Sequence, residues 1–380
     1  KLSIEKVSND KYLKIFDPHI TNSKLRPENF DKLNSSIKMF LNHEDFNFES
    51  GIESYENLQI ANNSDRYQYI LPYYNFEKLI SQNYLSGNIS FDSNGSNNFN
   101  NTNNIKTNIT NNLTYSSLDF YNNLGLKSNY FISLQNLNSI GKNVSEYKNS
   151  PQIELAGIFN LDLSLPLLKK NNDYKNLLTP KLSFRFNPSD MKDYSSSGNK
   201  IDANNAFTLN RLGLSDTLET GKSITLGLDF KKEKNDYLDD INNYFEVKLA
   251  TVLRDKEEKF IPNESTINRK TSNLFGSINT KYSDNLKLGY NFSIDNDYST
   301  FEYNDLNATI SINNFVTTFN FIEENGETGD SNIIANSIEY NHDETNFFKF
   351  ETRRNRKINL TEYYDLVYEY KNDCLTAGIK

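Results

Sequence analysis

Few residues in this chain have the types and the spacing that catalysis requires. It contains three histidines, His19, His43 and His342, and no two of them have the spacing of a metal-ligand pair or of a nucleophile and its base. The sequence also lacks a Gly-rich phosphate loop, a CxxC pair and a GxSxG motif. We therefore predict a protein that is not an enzyme and that uses no cofactor and no metal ion.

The most informative charged segment is NRLGLSDTLETG, at residues 210–221. It places Arg211 near Asp216 and Glu219, beside two glycines, and it leads into an alternating strand. A charge at membrane depth is tolerated only where it is paired or faces a wet interior. We favour an ion-pair cluster that fixes strand register, and direct contact with a ligand is the alternative.

A basic run ends the strand FFKFE at residues 347–351. Such a run is a candidate contact for anionic lipid headgroups or phosphorylated sugar at a membrane rim, and a solvated loop is the alternative. The basic residues of this run are Arg353, Arg354, Arg356 and Lys357.

These side chains must be positioned by β-strands, because apolar and polar residues alternate along much of the chain. Alternation places the apolar side chains of a strand on one face and the polar ones on the other. From residue 273 onward the strands follow one another with short Asx-rich turns between them. The clearest alternating segments are FNLDLSL (159–165), LSFRFN (182–187), ITLGLDF (224–230), FEVKL (245–249) and LKLGYNFSID (286–295). Beyond residue 273 we predict strands at 273–282, 286–295, 300–312, 315–322, 333–341, 346–354 and 361–370.

Long polar excursions interrupt this pattern in the middle of the chain. We predict them at 93–104, 138–150, 187–206 and 254–272, where no periodic apolar face is visible. Within the first of them, the Asn-rich tract at 95–104 is equally consistent with low-complexity sequence. Loops of this length are uncommon in compact soluble domains but are expected on the outer rim of a membrane barrel.

Composition favours a membrane β-barrel over a soluble or disordered chain. Of the 380 residues 36% are hydrophobic and 13% are aromatic, and the mean hydropathy is -0.71. Disordered chains are poor in aromatics, and no apolar run approaches the roughly 18 residues that a membrane helix needs. The net charge of -9 argues against nucleic acid as a partner. We predict an all-β, large antiparallel up-and-down transmembrane β-barrel, with about 20 strands in this chain, forming a single domain over residues 1–380.

Several stretches together resemble the outer-membrane LptD family of lipopolysaccharide-assembly proteins. LLTPKLSFRFNPSD (177–190) is followed, after a polar loop, by AFTLNRLGLSDTLETGKSITLGLDF (206–230). VSNDKYLKIF (7–16) is similar to an early barrel segment, and YDLVYEYKNDCLTAGIK (364–380) is similar to the family's cysteine-bearing C-terminal strands. The residues that match the family motif one by one are Asn210, Arg211, Gly213, Asp216, Glu219, Gly221 and Gly227.

The resemblance implies a barrel of about 26 strands in the outer membrane of a Gram-negative bacterium. It implies lipopolysaccharide as the substrate, an LptE-like lipoprotein plug, contact with outer-membrane lipid, and a periplasmic Lpt bridge reached through an N-terminal jelly-roll domain. That domain is not in this sequence, and we interpret the chain as truncated at both ends.

Cys374 is the only cysteine. By itself it fits either a buried small hydrophobe or half of a bridge to a partner. The resemblance implies a disulfide to the absent periplasmic domain, although Leu375 stands where some members of the family have a second cysteine.

Two other classes of protein share the strand pattern. A general porin or nutrient-uptake channel is the main alternative, and it would have a narrow, charge-ringed eyelet built by an inward-folded loop. A soluble or surface adhesin made of β-hairpins is the second, and it would bury its apolar faces against protein and have no aromatic belts at two levels.

Overall fold

The structure is a computed structural model in which residues 1–15, 29–60, 66–100, 104–144, 147–214, 217–234, 243–372 and 375–379 are described. These residues form 21 strands of one antiparallel sheet. The helical elements among them are α1 (Tyr12–Ile15) and two 3₁₀ turns (Asn263–Ser265 and Gly326–Thr328). No helix in the described part of the chain is long and apolar enough to cross a membrane. The predicted all-β, up-and-down fold of about 20 strands is confirmed.

The strands pair mainly with their neighbours in the chain, as an up-and-down topology requires. The strands are β1 (Leu2–Ser3), β2 (Lys32–Asn42), β3 (Phe46–Asn57), β4 (Tyr67–Tyr84), β5 (Gly87–Phe99), β6 (Ile105–Ser117), β7 (Phe120–Tyr121), β8 (Lys127–Lys142), β9 (Gln152–Ser164), β10 (Leu167–Lys170), β11 (Tyr174–Asn187), β12 (Gly221–Lys234), β13 (Tyr244–Arg254), β14 (Leu274–Ser283), β15 (Leu286–Ile294), β16 (Phe301–Ile312), β17 (Phe315–Glu324), β18 (Ser331–Asn341), β19 (Asn346–Asn355), β20 (Leu360–Lys371) and β21 (Thr376–Ile379).

The strands predicted beyond residue 273 agree with β14 to β20 within two residues at each end. Their turns use the Asx chemistry expected from the sequence. In the β18–β19 turn, the Asp343 carboxylate accepts hydrogen bonds from the backbone N–H groups of Thr345 and Asn346, at 2.8 and 2.7 Å. Hydrogen bonds to the carboxylate hold the pKa of this exposed Asp343 well below its usual range.

One of the predicted polar excursions is largely strand and a second begins as strand, and those parts of the prediction were wrong. Strand β5 continues to Phe99 through most of the segment 93–104, and β8 continues to Lys142 into the segment 138–150. The other two excursions are connections, at 188–220 and 255–273.

Cross-strand hydrogen bonds between side chains explain the polar strands. Ser96 Oγ donates to Asn108 Oδ1 at 2.8 Å, and Asn112 Nδ2 donates to Asp92 Oδ2 at 2.7 Å, both between β5 and β6. Short polar side chains opposite one another stabilise a strand pair without any apolar alternation. A search for apolar periodicity alone therefore misses such strands.

The chain divides into two compact units. Unit 1 comprises Lys1–Leu118, Phe131–Phe159 and Asp216–Leu218, and unit 2 comprises Asp119–Tyr130, Asn160–Ser215 and Glu219–Lys380. Unit 1 has a small buried cluster, which consists of Leu13, Leu33 and Leu58 with Val7 and Phe30 packed against it. Unit 2 has a larger one, which consists of Met191, Ile201, Ala203, Leu212, Leu214, Val252, Ile261, Ile267 and Phe275.

The two faces of the unit 2 sheet are reversed relative to a soluble protein. Along β12 the apolar side chains of Ile224, Leu226 and Leu228 are 39%, 40% and 38% exposed, whereas Ser223 and Thr225 between them are 3% and 2% exposed. A soluble sheet buries its apolar face and leaves its polar face in water. We call these the apolar face and the polar face, and the exposed apolar face suits lipid.

Aromatic side chains lie near both ends of this apolar face. Near the short turns, Phe348 lies between Tyr340 and Tyr368, with its ring centroid 6.4 Å from that of Tyr340 and 4.9 Å from that of Tyr368. Near the opposite ends of the strands, Phe292 lies 5.9 Å from Phe301. Aromatic belts at two levels mark the two membrane interfaces. In the described part of unit 2 both observations oppose the adhesin hypothesis.

Candidate functional site

Two loops of unit 2 pack on the polar face of the sheet. They are the β11–β12 loop, residues 188–214, and the β13–β14 loop, residues 255–273. Backbone hydrogen bonds join them to each other: Tyr194 N–H donates to Phe260 at 2.9 Å, and Asn263 N–H donates to Ser195 at 3.1 Å. Their apolar side chains form most of the unit 2 cluster, so folded protein covers this part of the polar face.

Glu219 is the centre of an ion-pair cluster beneath these loops. Its carboxylate accepts hydrogen bonds from Arg211 Nε and Nη2 at 2.7 and 2.5 Å and from Arg185 Nη1 at 2.7 Å, and it also accepts one from Arg254. The two contacts from Arg211 are bidentate, the strongest arrangement of this pair. We call Glu219, Arg185, Arg211 and Arg254 the Glu219 cluster.

The Glu219 cluster is buried and carries an excess of positive charge. The side chains of Arg211 and Arg254 are 1% exposed, and that of Glu219 is 5% exposed. Burial by itself raises the pKa of the Glu219 carboxyl, but the charges of Arg211, Arg185 and Arg254 outweigh it and hold the pKa well below its usual range. Glu219 therefore stays ionised at any physiological pH and is the negative charge that these three guanidinium groups share.

Strand register explains why the cluster forms. Arg185 of β11 lies opposite Ser223 of β12, and Ser223 lies opposite Arg254 of β13, so the three residues form a row on the polar face. Arg211, from the β11–β12 loop, donates to Ser223 Oγ at 3.0 Å and to Thr225 Oγ1 at 2.9 Å. The cluster therefore ties one loop to three neighbouring strands.

Further hydrogen bonds hold the backbone of Glu219 and Thr220 and that of the β11–β12 loop at Thr208. Arg254 Nη1 donates to the carbonyl oxygen of Thr220 at 2.9 Å, and Asn187 Nδ2 donates to that of Glu219 at 3.0 Å. Arg185 Nη2 donates to the carbonyl oxygen of Thr208 at 2.6 Å. Each strand arginine thus binds both the central carboxylate and the loop backbone.

Asn210 shapes the turn that presents Arg211. Its side-chain amide donates to the carbonyl oxygen of Leu214 at 2.8 Å, and its Oδ1 accepts from the Leu214 N–H at 3.0 Å. The N–H of Gly213 donates to the carbonyl oxygen of Asn210 at 3.0 Å inside the same turn. Two further residues of the predicted site, Asp216 and Cys374, lie outside the described residues.

The other two motif glycines are required by close approach. Gly221 has a φ of 87°, and a Cβ there would lie 2.6 Å from Glu258 Oε1. A Cβ on Gly227 would lie 2.5 Å from the ring of Phe207, which packs from the β11–β12 loop onto the strand backbone. The glycines let the loop lie against β12.

We expect Gly227→Val to lower the free energy of unfolding of the full-length protein by about 1–3 kcal/mol, because Phe207 must move. The midpoint of heat-induced loss of the folded band on cold electrophoresis would measure the loss. Gly289→Val is the matched control, since a Cβ there would meet only Asn279 Oδ1, at 3.2 Å. Equal midpoints for the two variants would refute the role of this contact.

The sequence predicted Arg211 and Glu219 for one site but missed Arg185 and Arg254. The two-residue alternation of each strand could have indicated them. It places both arginines on the polar face near the end of their strands, where a charged side chain needs a partner. Arg211 and Glu219 pair inside the run, whereas the other two partners of Glu219 come from β11 and β13.

The basic run lies apart from the Glu219 cluster, at the end of β19. Arg353 Nε forms an ion pair with Glu362 at 2.8 Å, and Lys357 forms one with Asp330. Arg354 donates to Asn359 Oδ1 at 2.5 Å.

The two histidines that the structure describes, His43 and His342, form no metal or catalytic centre. His43 and His342 lie in exposed turns, and His19 lies outside the described residues. Across the described ranges, no group of three or more His, Cys, Asp or Glu residues is arranged to hold a metal ion.

Comparisons with known proteins place this arrangement in a family. The family model described as "LptD: LPS transport system D" matches residues 1–342. No curated protein matches the chain. Among solved structures, two variants of the ferric enterobactin receptor PfeA of Pseudomonas aeruginosa are similar over 93% of this chain, with TM-scores of 0.40 and 0.39 and identities of 10% and 9%. The chain covers 65% of each receptor's length.

The family match spans both units and includes the whole run from Asn210 to Gly227. The chain belongs to the LptD family, the D component of the LPS transport system, and is an outer-membrane β-barrel protein of a Gram-negative bacterium.

Proposed function

We propose that this chain forms the barrel wall of a translocon that inserts lipopolysaccharide into the outer leaflet of the outer membrane. The observation that carries the proposal is the reversed sheet of unit 2, with an exposed apolar face, a polar face and aromatic side chains at both ends. Membership of the LPS transport family supplies the substrate class. Residues 1–380 would form a single barrel domain.

The chemistry of the substrate requires both faces. Lipopolysaccharide has a charged sugar head and several acyl chains, so the head must cross in a wet interior while the chains stay in an apolar phase. A polar interior and a lipid-facing exterior within one wall satisfy both needs. Movement of the lipid makes and breaks no covalent bond, so we propose no enzyme activity and no cofactor.

The lengths of the connections between strands indicate which end of the unit 2 strands faces the cell exterior. Outer-membrane barrels have short periplasmic turns and longer extracellular loops. In unit 2 the short turns include 284–285, 313–314 and 342–345, and the long loops 188–214 and 255–273 lie at the opposite ends of the strands. We call the end with the long connections the loop end, and we propose that it faces the cell exterior.

The partners follow from the resemblance. An LptE-like lipoprotein plug and a periplasmic Lpt bridge would act together with this wall. Cys374, which lies outside the described residues, is our candidate for a disulfide to the periplasmic domain. Mass spectrometry of the non-reduced full-length protein would identify that bridge directly.

A passive porin remains the competing function, since a loop folds onto the polar face as it would in a porin eyelet. The charges of the Glu219 cluster, however, are at most 5% exposed and bind one another. An eyelet needs charges that face open water. The cluster therefore fits a structural lock better than a selectivity filter.

Site-specific photo-crosslinking of the full-length protein in cells tests the proposal. Ser183 and Arg185 are poor probe positions because the loops cover them. Asn307 of β16 is on the polar face and exposed, and its neighbour Leu306 is on the apolar face. We expect lipopolysaccharide adducts from Asn307 and about tenfold fewer from Leu306. Steady single-channel conductance without any adduct would favour the porin.

A further inference from the structure

The basic residues at the end of β19 differ in what they can still bind. Arg353 is paired with Glu362, and Lys357 is paired with Asp330, so a carboxylate already neutralises each of these two charges. The nearby Glu323 is also satisfied, because Asn332 and Asn304 donate to its two carboxylate oxygens at 2.9 and 3.3 Å.

Arg354 and Arg356 are the two residues of the run that retain an uncompensated charge. Both are exposed. Arg354 donates to the neutral Asn359 amide oxygen, and no described residue accepts a hydrogen bond from the Arg356 side chain. The backbone N–H of Arg356 donates to the carbonyl oxygen of Asn332 at 2.8 Å, which fixes the start of the β19–β20 turn.

Arg354 lies on the same side of the sheet as an exposed apolar surface. In the β19–β20 register Phe350 lies opposite Leu366 and Thr352 lies opposite Tyr364. The β19–β20 pairing has a bulge between Arg353 and Arg354, but β19 pairs with β18 without a shift, and Arg354 lies opposite Ile334 on the same face as Phe350. Tyr364 and Leu366 are 69% and 65% exposed. A cationic group therefore borders apolar surface at the loop end of the strands.

We propose that Arg354 and Arg356 bind a phosphate group of a glycolipid in the membrane leaflet at the loop end. The planar guanidinium group matches phosphate oxygens in a bidentate way, and its apolar neighbours suit the acyl chains of the same molecule. The two uncompensated guanidinium charges would select a phosphorylated headgroup. The apolar surface beside them would select a lipid over a soluble phosphate. The inference rests on the proposed function in taking this leaflet as the outer one and lipopolysaccharide as the lipid.

Binding by the purified full-length protein in nanodiscs tests the inference. The probes are phosphatidylcholine discs that contain either diphosphorylated lipid A or the same lipid after removal of its phosphates. We expect about tenfold weaker binding of the phosphorylated form by the R354Q/R356Q variant. The R353Q/K357Q variant removes the same charge from the same run and should bind within about twofold of the unchanged protein.

The inference is overturned if the two double variants lose affinity equally, since net charge alone would then explain the binding. It is also overturned if the phosphorylated and dephosphorylated lipids bind alike, or if inorganic phosphate at equal concentration displaces the lipid. Cold electrophoresis of each variant checks that the barrel remains folded.

The Asn307 crosslink separates this inference from the proposed function. Unchanged lipid A binding by R354Q/R356Q, with Asn307 adducts present, would refute the rim site and leave the translocon standing. Loss of binding by R354Q/R356Q, with no Asn307 adduct in the unchanged protein, would support the rim site and refute the translocon.

Discussion

Glu219→Gln in the full-length protein is expected to release the β11–β12 loop from the polar face. The substitution removes the negative charge that Arg185, Arg211 and Arg254 share, and it leaves three buried guanidinium groups facing one another. Removal of one partner from a buried ion pair costs about 3–5 kcal/mol. Here the remaining charges also repel, so we expect the upper part of that range.

Limited trypsin digestion measures this release. Lys192 and Lys200 lie in the β11–β12 loop and should be cleaved faster in Glu219→Gln than in the unchanged protein purified in detergent. Glu264→Gln is the matched control, because Glu264 lies in the adjacent loop, is 36% exposed and is 3.4 Å from Lys200. A partly exposed pair contributes about 0–1 kcal/mol.

Equal cleavage rates and equal temperatures for loss of the folded band in Glu219→Gln and Glu264→Gln would show that the Glu219 cluster does not hold the β11–β12 loop in place. Arg211→Lys offers a second measurement. A lysine keeps the charge but loses the bidentate contact and the bonds to Ser223 and Thr225, so its loop should be cleaved faster than that of the unchanged protein.

Leu306→Arg is expected to lower the free energy of unfolding by the second large amount. The cause is the transfer of a charge into lipid, and not the loss of a contact within the protein. Leu306 lies midway along β16 on the apolar face, opposite Tyr290 of β15 and Phe321 of β17. An arginine that faces lipid near the midplane of a bilayer destabilises a barrel by about 2–4 kcal/mol.

The matched control is the next residue in the chain. Asn307 is exposed on the polar face, opposite Gly289 and Asn320, so Asn307→Arg should cost less than about 1 kcal/mol. Refolding of the full-length protein into phospholipid bilayers at graded urea concentrations would give both values. Equal losses from the two variants would mean that the faces have been assigned wrongly.

The Leu306→Arg and Glu219→Gln variants test different parts of the same wall. Leu306→Arg tests which face of the sheet meets lipid, and Glu219→Gln tests what holds the polar interior in place. Because the residues are far apart in the register and share no partner, we expect their effects on unfolding free energy to add.

The sequence by itself determined the strands and their two faces. Alternation in ITLGLDF and LKLGYNFSID is a local pattern with a period of two residues, so it assigns each side chain to a face before any partner strand is known. Asx residues placed the short turns for the same local reason, and the run from Asn210 to Gly227 indicated the family. These predictions held from β14 to β20 within two residues.

Only the tertiary structure decided which residues meet. Arg185 and Arg254 join Glu219 because register aligns them across β12, and no local spacing encodes a contact between residues so distant in the chain. The second half of β5 was missed for a related reason, since side chains on β6, and not apolar alternation, stabilise this strand.

The basic run also shows the difference between what the sequence determines and what the tertiary structure decides. The sequence identified four basic residues, but it could not say that Glu362 and Asp330 neutralise Arg353 and Lys357. Alternation is a property of neighbouring residues, whereas charge compensation depends on which strands and turns are packed side by side. The sequence therefore determined the wall and its faces, and the tertiary structure decided which charges lock it and which remain free to bind.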